Sequence, residues 1–500
     1  MEISLDRESP VPLAQQIAAG LRQQISTGLL AAGSRLPSSR QLASVLGVNR
    51  ATVLNGFHTL QEEGLVESGV GRGTFVTGHR SDADTAEPEE APPRHRGLGF
   101  SWSALLGAEP RDESDARSGG NGNEPPYTLS RAVPSRELFP EKEICDSMVR
   151  AFRLMRSEIL DYSSPAGFEP LRETLRKRLT ARGIDMRRND VLIVNGSQQG
   201  LDLVARLIPP GRPVITSSPS FSGALAVLGR VHQMVGAPID AGGIDPDAVD
   251  HVARRRGASL IYTIPFCHNP TGVTLTCERS ALLLEAARRH RVPVLEDDWL
   301  GELRCSGDPP PLKARDDHDQ VLYLGTISKV LVPGLRIGWL VAPRQAFDAL
   351  VALKRDTDLA SNLPGQAALA QLFDSGFIDR HVQDLGVALE RRRHIVLDAI
   401  ERYFPAEARP LDPGRGMVLW IQLPQGVDDR SLVQAAQRAG VEIAPGASFF
   451  PGAADRPGFR ISYARAAMRD LAPAIRLLGR ALEGVLAAAS HPTAAAPPLV

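Results

Sequence analysis

The sequence predicts an α/β protein with a small helical domain in front of it, and three observations support this fold class. From Tyr127 onward, short segments rich in Val, Ile and Leu alternate with longer helical patterns, as in a layered domain with a mostly parallel sheet. Residues 1–77 contain three helical patterns and two short strands, whereas residues 78–126 are acidic and rich in Pro, Gly and Ser. We therefore predict two folded domains, 1–77 and 127–488, a flexible linker at 78–126 and a disordered tail at 489–500.

Composition narrows the classes of function. The chain of 500 residues carries 57 Lys and Arg against 58 Asp and Glu, so no global field favours nucleic acid or a membrane. Any DNA binding must then come from a local patch. The four cysteines are dispersed without a C-x-x-C pair, which argues against a metal site or disulfides, and we expect buried thiols in a reducing cytoplasm. The sequence predicts neither a signal peptide nor a membrane span, because it lacks the apolar runs that both require.

The first domain has the pattern of a helix-turn-helix. Its first helix is predicted by apolar residues at every fourth position, namely Leu13, Ile17, Leu21 and Ile25. The second helix opens with the capping-box residues Ser38 and Gln41 and stops at Gly47. The third helix has Asn49 as its N-cap and Gly64 beyond its end. The segment LVESGVGRGTFVT that follows predicts a hairpin.

The same segment is locally basic, which suits contact with phosphates. Between Arg35 and His58 there is no acidic residue, so this surface can approach phosphates. In a helix-turn-helix, the side chains that reach base edges lie at the N-terminal end of the second helix of the motif. A solvated three-helix domain with incidental arginines would explain the same pattern. However, RLPSSRQLASVLGVNRATV followed by GRGTFV resembles the winged-helix DNA-binding domain of the GntR family. That resemblance implies DNA contacts for Ser38, Arg40, Asn49, Arg50, Thr52 and, in the wing, Arg72.

One lysine of the second domain stands out, because the chain uses arginine for nearly every other cation. The lysines are Lys142, Lys177, Lys313, Lys329 and Lys354. Lys329 lies in TISKVLVPGLRIG, with hydroxyl side chains before it and an arginine after it. An amine can lose its proton and attack a carbonyl, whereas a guanidinium stays charged, so Lys329 is a candidate for a Schiff base.

Further polar groups follow predicted strands. A Gly turn and helix start follow VLIV, NPTG follows LIYTIPFCH, and the carboxylates of EDD end RVPVLEDD. Because ligands of open α/β sheets lie beyond the carboxyl ends of the strands, we expect these groups beside Lys329. An amine for an aldehyde, a carboxylate for a pyridine nitrogen, an amide for a phenolic oxygen and a helix start for a phosphate fit pyridoxal 5′-phosphate (PLP). Each group alone has a structural explanation, but their joint occurrence favours the cofactor.

Residues 127–488 resemble a fold-type I aminotransferase of class I and II, through S/T-x-S-K followed by PGLRIG. The resemblance implies a large domain with a mostly parallel sheet, a small α/β domain, PLP and no metal. It implies that Lys329 holds the cofactor covalently, Asp297 pairs with the pyridine nitrogen and Asn269 bonds the ring oxygen; these are the expected catalytic residues. Further cofactor contacts are implied for Gly196, Ser197, Gln198, Phe221, Thr326, Ser328 and Arg336.

The resemblance assigns three more positions. Tyr162 is similar to the tyrosine that reaches the phosphate of the neighbouring subunit, which implies a homodimer with a composite site. Arg460 stands where the family binds the substrate α-carboxylate. Trp299 occupies the place of a tyrosine that contacts the cofactor ring oxygen. Since an indole N–H can donate but cannot accept or ionise, this departure argues against efficient transamination.

A GntR-like winged helix, a linker and an aminotransferase-like domain, in this order, resemble the MocR/GabR family of bacterial regulators. The resemblance implies a cytoplasmic transcription regulator that binds double-stranded operator DNA and senses an amino compound or PLP at Lys329. Two alternatives stay open at this point. One is a working PLP-dependent aminotransferase with an accessory winged helix. The other is a PLP-independent regulator that uses an inactive enzyme domain as a dimer scaffold.

Overall fold

The computed structural model describes residues 11–26, 36–69, 73–77, 127–412, 414–454 and 456–490, together with the single positions 5, 9, 30 and 34. Internal contacts divide the chain into two units, Met1–Glu109 and Pro110–Val500. The predicted linker at 78–126 and positions 491–500 of the predicted tail lie outside the described residues.

The first unit contains three helices and a two-stranded antiparallel hairpin. Its elements are α1 (Leu13–Ser26), α2 (Ser39–Leu46), α3 (Arg50–Glu62), β1 (Val66–Gly69) and β2 (Gly73–Val76). Ile17 and Leu21, predicted for the inner face of α1, are fully buried and belong to one core with Val53, Phe57 and Leu60 of α3. The predicted helix-turn-helix and hairpin are therefore confirmed.

The start and stop signals of α2 and α3 act as the sequence predicts. The Ser38 hydroxyl accepts the backbone N–H of Gln41, while the Gln41 side chain accepts the N–H of Ser38 at 3.1 Å, which completes the capping box. Gly47 ends α2 in the left-handed region with φ 62°. Asn49 caps α3, because its Oδ1 accepts the N–H of Ala51 at 3.0 Å. These local signals fix the tight turn between the two helices.

The second unit is a layered α/β structure with eleven described α-helices and fourteen described strands. The helices are α4 (Glu141–Met155), α5 (Glu169–Ala181), α6 (Ser197–Leu207), α7 (Ser222–Leu228), α8 (Pro246–Arg256), α9 (Cys277–His290), α10 (Arg344–Asp358), α11 (Leu363–Asp374), α12 (Phe377–Tyr403), α13 (Asp429–Arg438) and α14 (Met468–Ser490). The strands are β3 (Tyr127–Thr128), β4 (Asn189–Val194), β5 (Val214–Ser218), β6 (Met234–Asp240), β7 (Gly243–Ile244), β8 (Leu260–Thr263), β9 (Val294–Asp298), β10 (Val321–Thr326), β11 (Gly338–Pro343), β12 (Arg409–Leu411), β13 (Val418–Gln422), β14 (Val441–Glu442), β15 (Ala444–Pro445) and β16 (Gly458–Ser462).

The central sheet has eight strands in the order β4-β11-β10-β9-β8-β5-β6-β7. The middle strands β10, β9, β8, β5 and β6 are parallel to their neighbours in this group. Strand β11 lies between β4 and β10 and is antiparallel to both. Strands β8 to β11 are buried along their whole length. Burial on both faces explains their continuous apolar sequences, and the mostly parallel sheet predicted from them is confirmed.

A smaller antiparallel sheet, β12-β13-β16-β15, forms the core of the C-terminal part of this unit. The long helix α14 lies against α12 and α13 beside this sheet. Buried residues of the small sheet and of α14, such as Ile421 and Leu478, belong to the same hydrophobic cluster as the central sheet. The small α/β domain expected from the sequence is therefore present.

Two expectations from the sequence are corrected. Helix α14 extends to Ser490, so residues 489 and 490 continue a helix rather than begin a tail, because alanine favours helical conformation. Cys267 is buried as expected, but Cys145, Cys277 and Cys305 are exposed. Cys145 and Cys277 lie on helices that expose one face to solvent. The wide spacing of the cysteines in the sequence does not indicate which face they occupy. No helix in the described part of the chain is long and apolar enough to cross a bilayer.

Candidate functional site

The carboxyl ends of the central strands bring together residues that lie far apart in the sequence. Parallel neighbours β9 and β10 end at Asp298 and Thr326, and Lys329 follows three residues after β10. Burial raises the pKa of Asp297, and the positive charge of Lys329 partly opposes this rise, as expected for side chains that lie near each other. The geometry therefore agrees with a single site at this edge of the sheet.

Asp297 is the most unusual carboxylate of this edge. It is only 2% exposed, and its Oδ2 accepts the hydroxyl of Tyr262 at 2.9 Å. Its Oδ1 is buried and has no hydrogen-bond partner among the described residues. Burial raises the pKa of Asp297 to about 7, although the Tyr262 hydroxyl and the Lys329 charge oppose this rise. A buried acceptor without a donor is costly, so an N–H group of a bound molecule would fit at Oδ1.

The two neighbouring carboxylates are already satisfied by the protein. Asp298 accepts the hydroxyl of Tyr323 at 2.9 Å and the guanidinium of Arg304 at 3.0 Å. Both oxygens of Glu296 accept backbone N–H groups at 2.9 Å, and burial raises the pKa of Glu296 to about 8. Among these three carboxylates, only Asp297 keeps an unused oxygen. No group of three His, Cys, Asp or Glu side chains in the described ranges could hold a metal ion.

The predicted phosphate contacts converge where β4 turns into α6. Gly196 precedes the helix with φ 78°, and no side chain caps the first turn, so its N–H groups can receive an anion. A Cβ on Gly196 would lie 2.6 Å from Nη2 of Arg336, so the guanidinium lies directly against the turn. The same Nη2 donates to the carbonyl of Asn195 at 3.1 Å. Glycine is needed here both for the positive φ and for the close approach of Arg336.

Hydroxyl and aromatic groups complete the surroundings of this turn. Thr326 Oγ1 donates to Ser328 Oγ and accepts the Ser328 N–H, each at 3.1 Å, which fixes the turn before Lys329. On the other side, Gln198 donates to the carbonyl of Gly223 at 3.2 Å. The ring of Phe221 also lies against Gly223, where an added Cβ would meet it at 2.5 Å. The structure thus brings these predicted contacts to the start of α6 and the end of β10.

Asn269, in the segment that follows β8, meets Arg460, which lies on a strand of the small sheet. Arg460 on β16 is buried, and its Nη1 donates to Oδ1 of Asn269 at 2.9 Å. Its Nη2 donates to the carbonyl of Ser130, and its guanidinium lies 5.0 Å from the ring centroid of Phe449. The expected carboxylate-binding group therefore lies beside the expected donor to the ring oxygen.

Trp299 is placed differently from the expectation. Its indole N–H donates to the carbonyl of Cys267 at 2.9 Å, and the side chain is buried. That bond uses the only hydrogen-bond donor of the indole, so Trp299 ties the end of β9 to the segment before Asn269. It does not offer a donor to a ring oxygen. The sequence could not predict this hydrogen bond, because Cys267 lies in the segment after β8 and only the fold brings it next to Trp299.

Tyr162 lies outside the enclosed part of the site. It is 79% exposed, in the segment between α4 and α5. This exposure leaves the side chain accessible to a second subunit, which is the contact that the resemblance implies.

Tyr262 is a site residue that reasoning from the sequence missed. It lies on β8, is fully buried and donates to Asp297 across 35 residues of sequence. A signal was available, because a tyrosine within an otherwise aliphatic, buried parallel strand needs a partner for its hydroxyl. The identity of that partner depended on which strand lies next to β8.

The described residues predicted to contact DNA lie at the N-terminal ends of α2 and α3. Ser38, Arg40, Asn49 and Arg50 are exposed and Thr52 is half-buried. The guanidinium of Arg50 donates to the hydroxyl of Ser39 at 3.1 Å, which links the two helices at this surface. Arg72 lies outside the described residues. Apart from Arg72, the predicted contacts are thus available at one end of the helix-turn-helix.

Comparison with known families gives two matches that together cover most of the chain. Residues 13–76 match the bacterial regulatory proteins of the gntR family. Residues 137–478 match the aminotransferase class I and II family. The first match coincides with the three-helix unit, and the second with the unit that contains Lys329 and Asp297.

Similar proteins carry the same two halves or the second half alone. The HTH-type transcriptional regulator YdfD of Bacillus subtilis is 31% identical over 94% of this chain and 96% of its own length. The probable rhizopine catabolism regulatory protein MocR of Rhizobium meliloti is 29% identical, with 92% of each chain covered. Among solved structures, a kynurenine aminotransferase of Pyrococcus horikoshii in complex with PMP is 30% identical at a TM-score of 0.71, covering 77% of this chain and 97% of that chain.

Proposed function

The chain belongs to the aminotransferase class I and II family and carries a gntR-family regulatory domain in front of it, and from this premise we propose a DNA-binding transcription regulator that depends on PLP. Aminotransferases of this family use PLP. In the proposal, the second domain senses an amino compound or PLP itself through Lys329, and the winged helix responds on double-stranded operator DNA in the cytoplasm.

The observation that carries the cofactor half of the proposal is the unused Oδ1 of Asp297. Tyr262 occupies the other oxygen at 2.9 Å, so the free oxygen is the one available to a ring N–H. Burial raises the pKa of Asp297 to about 7, which means that the protein alone stabilises the ionised carboxylate poorly. A positively charged ring nitrogen at Oδ1 would stabilise it strongly. Lys329 lies within the electrostatic reach of this group.

Bound PLP would supply an aldehyde that reacts with amines and a ring that withdraws electrons. The protein residues have simpler tasks. Lys329 would provide the amine, Asp297 would hold the ring nitrogen in its protonated form, and Asn269 would donate to the ring oxygen. Gly196, Ser197 and Arg336 would neutralise and orient the phosphate, with Gln198, Thr326 and Ser328 around it. Phe221 would stack on the ring.

Arg460 would make the domain responsive to amino compounds. A guanidinium offers a bidentate site for a carboxylate, and Arg460 is now held by Asn269 and by the carbonyl of Ser130. A carboxylate would compete for these bonds, which would link effector binding to the contact between β16 and the Asn269 segment. An effector can change DNA affinity only through such a differential interaction with two states.

A second copy of the chain would complete the cofactor site. Tyr162 is exposed, and α4 just before it exposes the apolar side chains Val149, Phe152 and Leu154. Exposed apolar groups on one helix favour an interface. We propose that this surface is covered in a homodimer and that Tyr162 reaches the phosphate of the other subunit.

The test uses the full-length protein and the variant Lys329→Ala. Borohydride treatment of the protein incubated with PLP, followed by peptide mapping, is expected to find a pyridoxyl group on Lys329. The wild-type absorbance band of the cofactor should change with a subset of amino acids and amines, and the same compounds should change DNA affinity. Lys329→Ala should keep DNA binding and lose this response. An unchanged response in Lys329→Ala would refute the sensing mechanism.

A working aminotransferase is the second candidate, because the full set of groups for a first half-reaction is present. The similarity to an aminotransferase solved with PMP also supports it. Sustained turnover of an amino donor and a keto acid, lost in Lys329→Ala, would favour catalysis over sensing. A spectral change that stops after a single conversion would favour the regulator.

A further inference from the structure

An ion pair of a buried lysine with a partly buried aspartate, beside the phosphate turn, has no task in the chemistry proposed above. Lys354 on α10 is fully buried, and its Nζ donates to Oδ1 of Asp358 at 2.7 Å. Burying the lysine charge costs solvation energy, which an ion pair by itself often fails to recover. Because the chain has only five lysines, the burial of this one suggests a role beyond stability.

The second oxygen of Asp358 holds the residues that form the phosphate turn. Oδ2 accepts the side-chain N–H of Asn195 at 2.6 Å and that of Gln199 at 2.8 Å. Gln199 in turn accepts the backbone N–H of Asn195 at 2.8 Å. These bonds close a ring from Asp358 through both side chains to the backbone immediately before Gly196.

The same ring also fixes the arginine of the phosphate site. The carbonyl of Asn195 accepts from Nη2 of Arg336 at 3.1 Å, so the position of Asn195 sets the position of that guanidinium. Gly196 lies between them, close enough that a Cβ would meet Nη2 at 2.6 Å. Both groups expected to face the phosphate, the first turn of α6 and Arg336, therefore depend on one carboxylate of α10.

We infer that Asp358, held by Lys354, is a positioning residue that orients the α6 turn and Arg336 for the phosphate of the cofactor. This inference rests on the proposed PLP function. Lys354 is needed for this role because an unpaired carboxylate this close to a phosphate site would repel the anion. The ion pair supplies a strong acceptor for two amides while leaving the local charge neutral.

The alternative is that the pair only stabilises the end of α10. A second ion pair with a buried lysine provides a control: Lys313 donates to Oδ2 of Asp316 at 2.9 Å, and here both side chains are buried. Asp316 accepts the backbone N–H groups of His318, Gln320 and Val321 and no group of the phosphate turn. The two pairs thus share their chemistry and a buried lysine but differ in what the carboxylate holds.

The experiment compares PLP with pyridoxal, which lacks the phosphate, on the full-length protein. Affinities are measured by absorbance titration for wild type, Asp358→Asn and Asp316→Asn, together with thermal unfolding. Asp358→Asn should weaken PLP by about tenfold and leave pyridoxal affinity unchanged, because it disturbs bonds to a charged acceptor only at the phosphate turn. Asp316→Asn should lower thermal stability without changing the ratio of the two affinities.

A second variant keeps the inference testable if Asp358→Asn does not fold. Lys354→Met combined with Asp358→Leu replaces the pair by apolar side chains, so no buried charge is left unpaired. It should fold and show the same selective loss of PLP affinity. Equal losses for PLP and pyridoxal, or none for either, would overturn the positioning role while leaving the proposed function intact. A wild-type protein that binds neither compound would overturn both.

Discussion

At the scale of single residues, the site depends on how one carboxylate is partnered. Asp297 has the Tyr262 hydroxyl on one oxygen and no described partner on the other. Its neighbours Glu296 and Asp298 have their oxygens occupied by backbone N–H groups or by Tyr323 and Arg304. Three acidic residues in a row therefore differ in how many hydrogen bonds their oxygens can still accept, because their surroundings differ.

The raised pKa of Asp297 predicts a pH-dependent cost to the stability of the protein without cofactor. The folded state keeps the proton up to about pH 7, whereas the unfolded state loses it near 3.8, so this contribution to stability falls as pH rises between these values and is constant above them. The full loss is on the order of 4 kcal/mol. Asp297→Asn removes the titration and should unfold at a higher denaturant concentration than wild type at about pH 8, with the two proteins converging near pH 4.

Chemical denaturation of the cofactor-free proteins at several pH values measures this difference. Addition of PLP should reverse it, because a ring N–H at Oδ1 favours the ionised carboxylate of the wild type and cannot do so for the amide. A difference between the two proteins that is the same at acidic and alkaline pH would contradict the assigned cause.

At the scale of elements, short sequence signals determined where the DNA-binding helices begin and end. The capping box of Ser38 and Gln41, the left-handed Gly47 and the N-cap Asn49 all act through bonds that span at most a few residues. Such signals could be predicted because both partners are adjacent in sequence. They also place polar side chains at the helix ends that face a nucleic acid in this motif.

Asn49 has two separable roles, and two substitutions distinguish them. Asn49→Ala removes the acceptor that binds the Ala51 N–H and should cost about 1 kcal/mol in the free energy of unfolding. Asn49→Asp keeps the cap and favours the helix dipole, so stability should be retained, but its charge repels phosphates. DNA affinity should therefore fall more in the Asp variant than its stability explains.

Thermal unfolding and fluorescence anisotropy with a labelled random-sequence DNA duplex measure the two effects. The loss of DNA affinity in Asn49→Asp should become smaller as salt is added, because screening weakens repulsion between charges. Wild-type DNA affinity in Asn49→Asp at low salt would remove Asn49 from the proposed interface.

At the scale of the whole molecule, the proposal requires two chains for each cofactor site. Tyr162 is 79% exposed within its own chain, whereas Lys329 and Asp297 lie within it at the ends of the central strands. A composite site makes cofactor occupancy dependent on subunit contact, so the state of the second domain would be set for both chains of a dimer together.

Heterodimers of differently tagged chains test this arrangement. A dimer of a Lys329→Ala chain with a Tyr162→Phe chain should contain one intact site, because Lys329 of one chain and Tyr162 of the other meet there. A dimer of a doubly substituted chain with a wild-type chain should contain none. PLP affinity measured by absorbance should therefore be close to wild type in the first dimer and about tenfold weaker in the second, as expected for the loss of a hydrogen bond to a charged group. Equal affinities in the two dimers would show that Tyr162 does not act across the interface.

The sequence by itself determined the fold class, the two folded domains, the helix caps and the strand ends that carry Asp297 and Lys329. These features follow from side-chain periodicity and from bonds between near neighbours, which operate in any chain with that local pattern. Packing decided the rest: Tyr262 reaches Asp297 over 35 residues, Asp358 holds Asn195 over 163 and Arg460 meets Asn269 over 191. Trp299 likewise gave its N–H to Cys267 because neighbouring strand ends brought that carbonyl within reach. Hydrogen bonds at such separations depend on which strands and helices become neighbours, so only the tertiary structure could assign them.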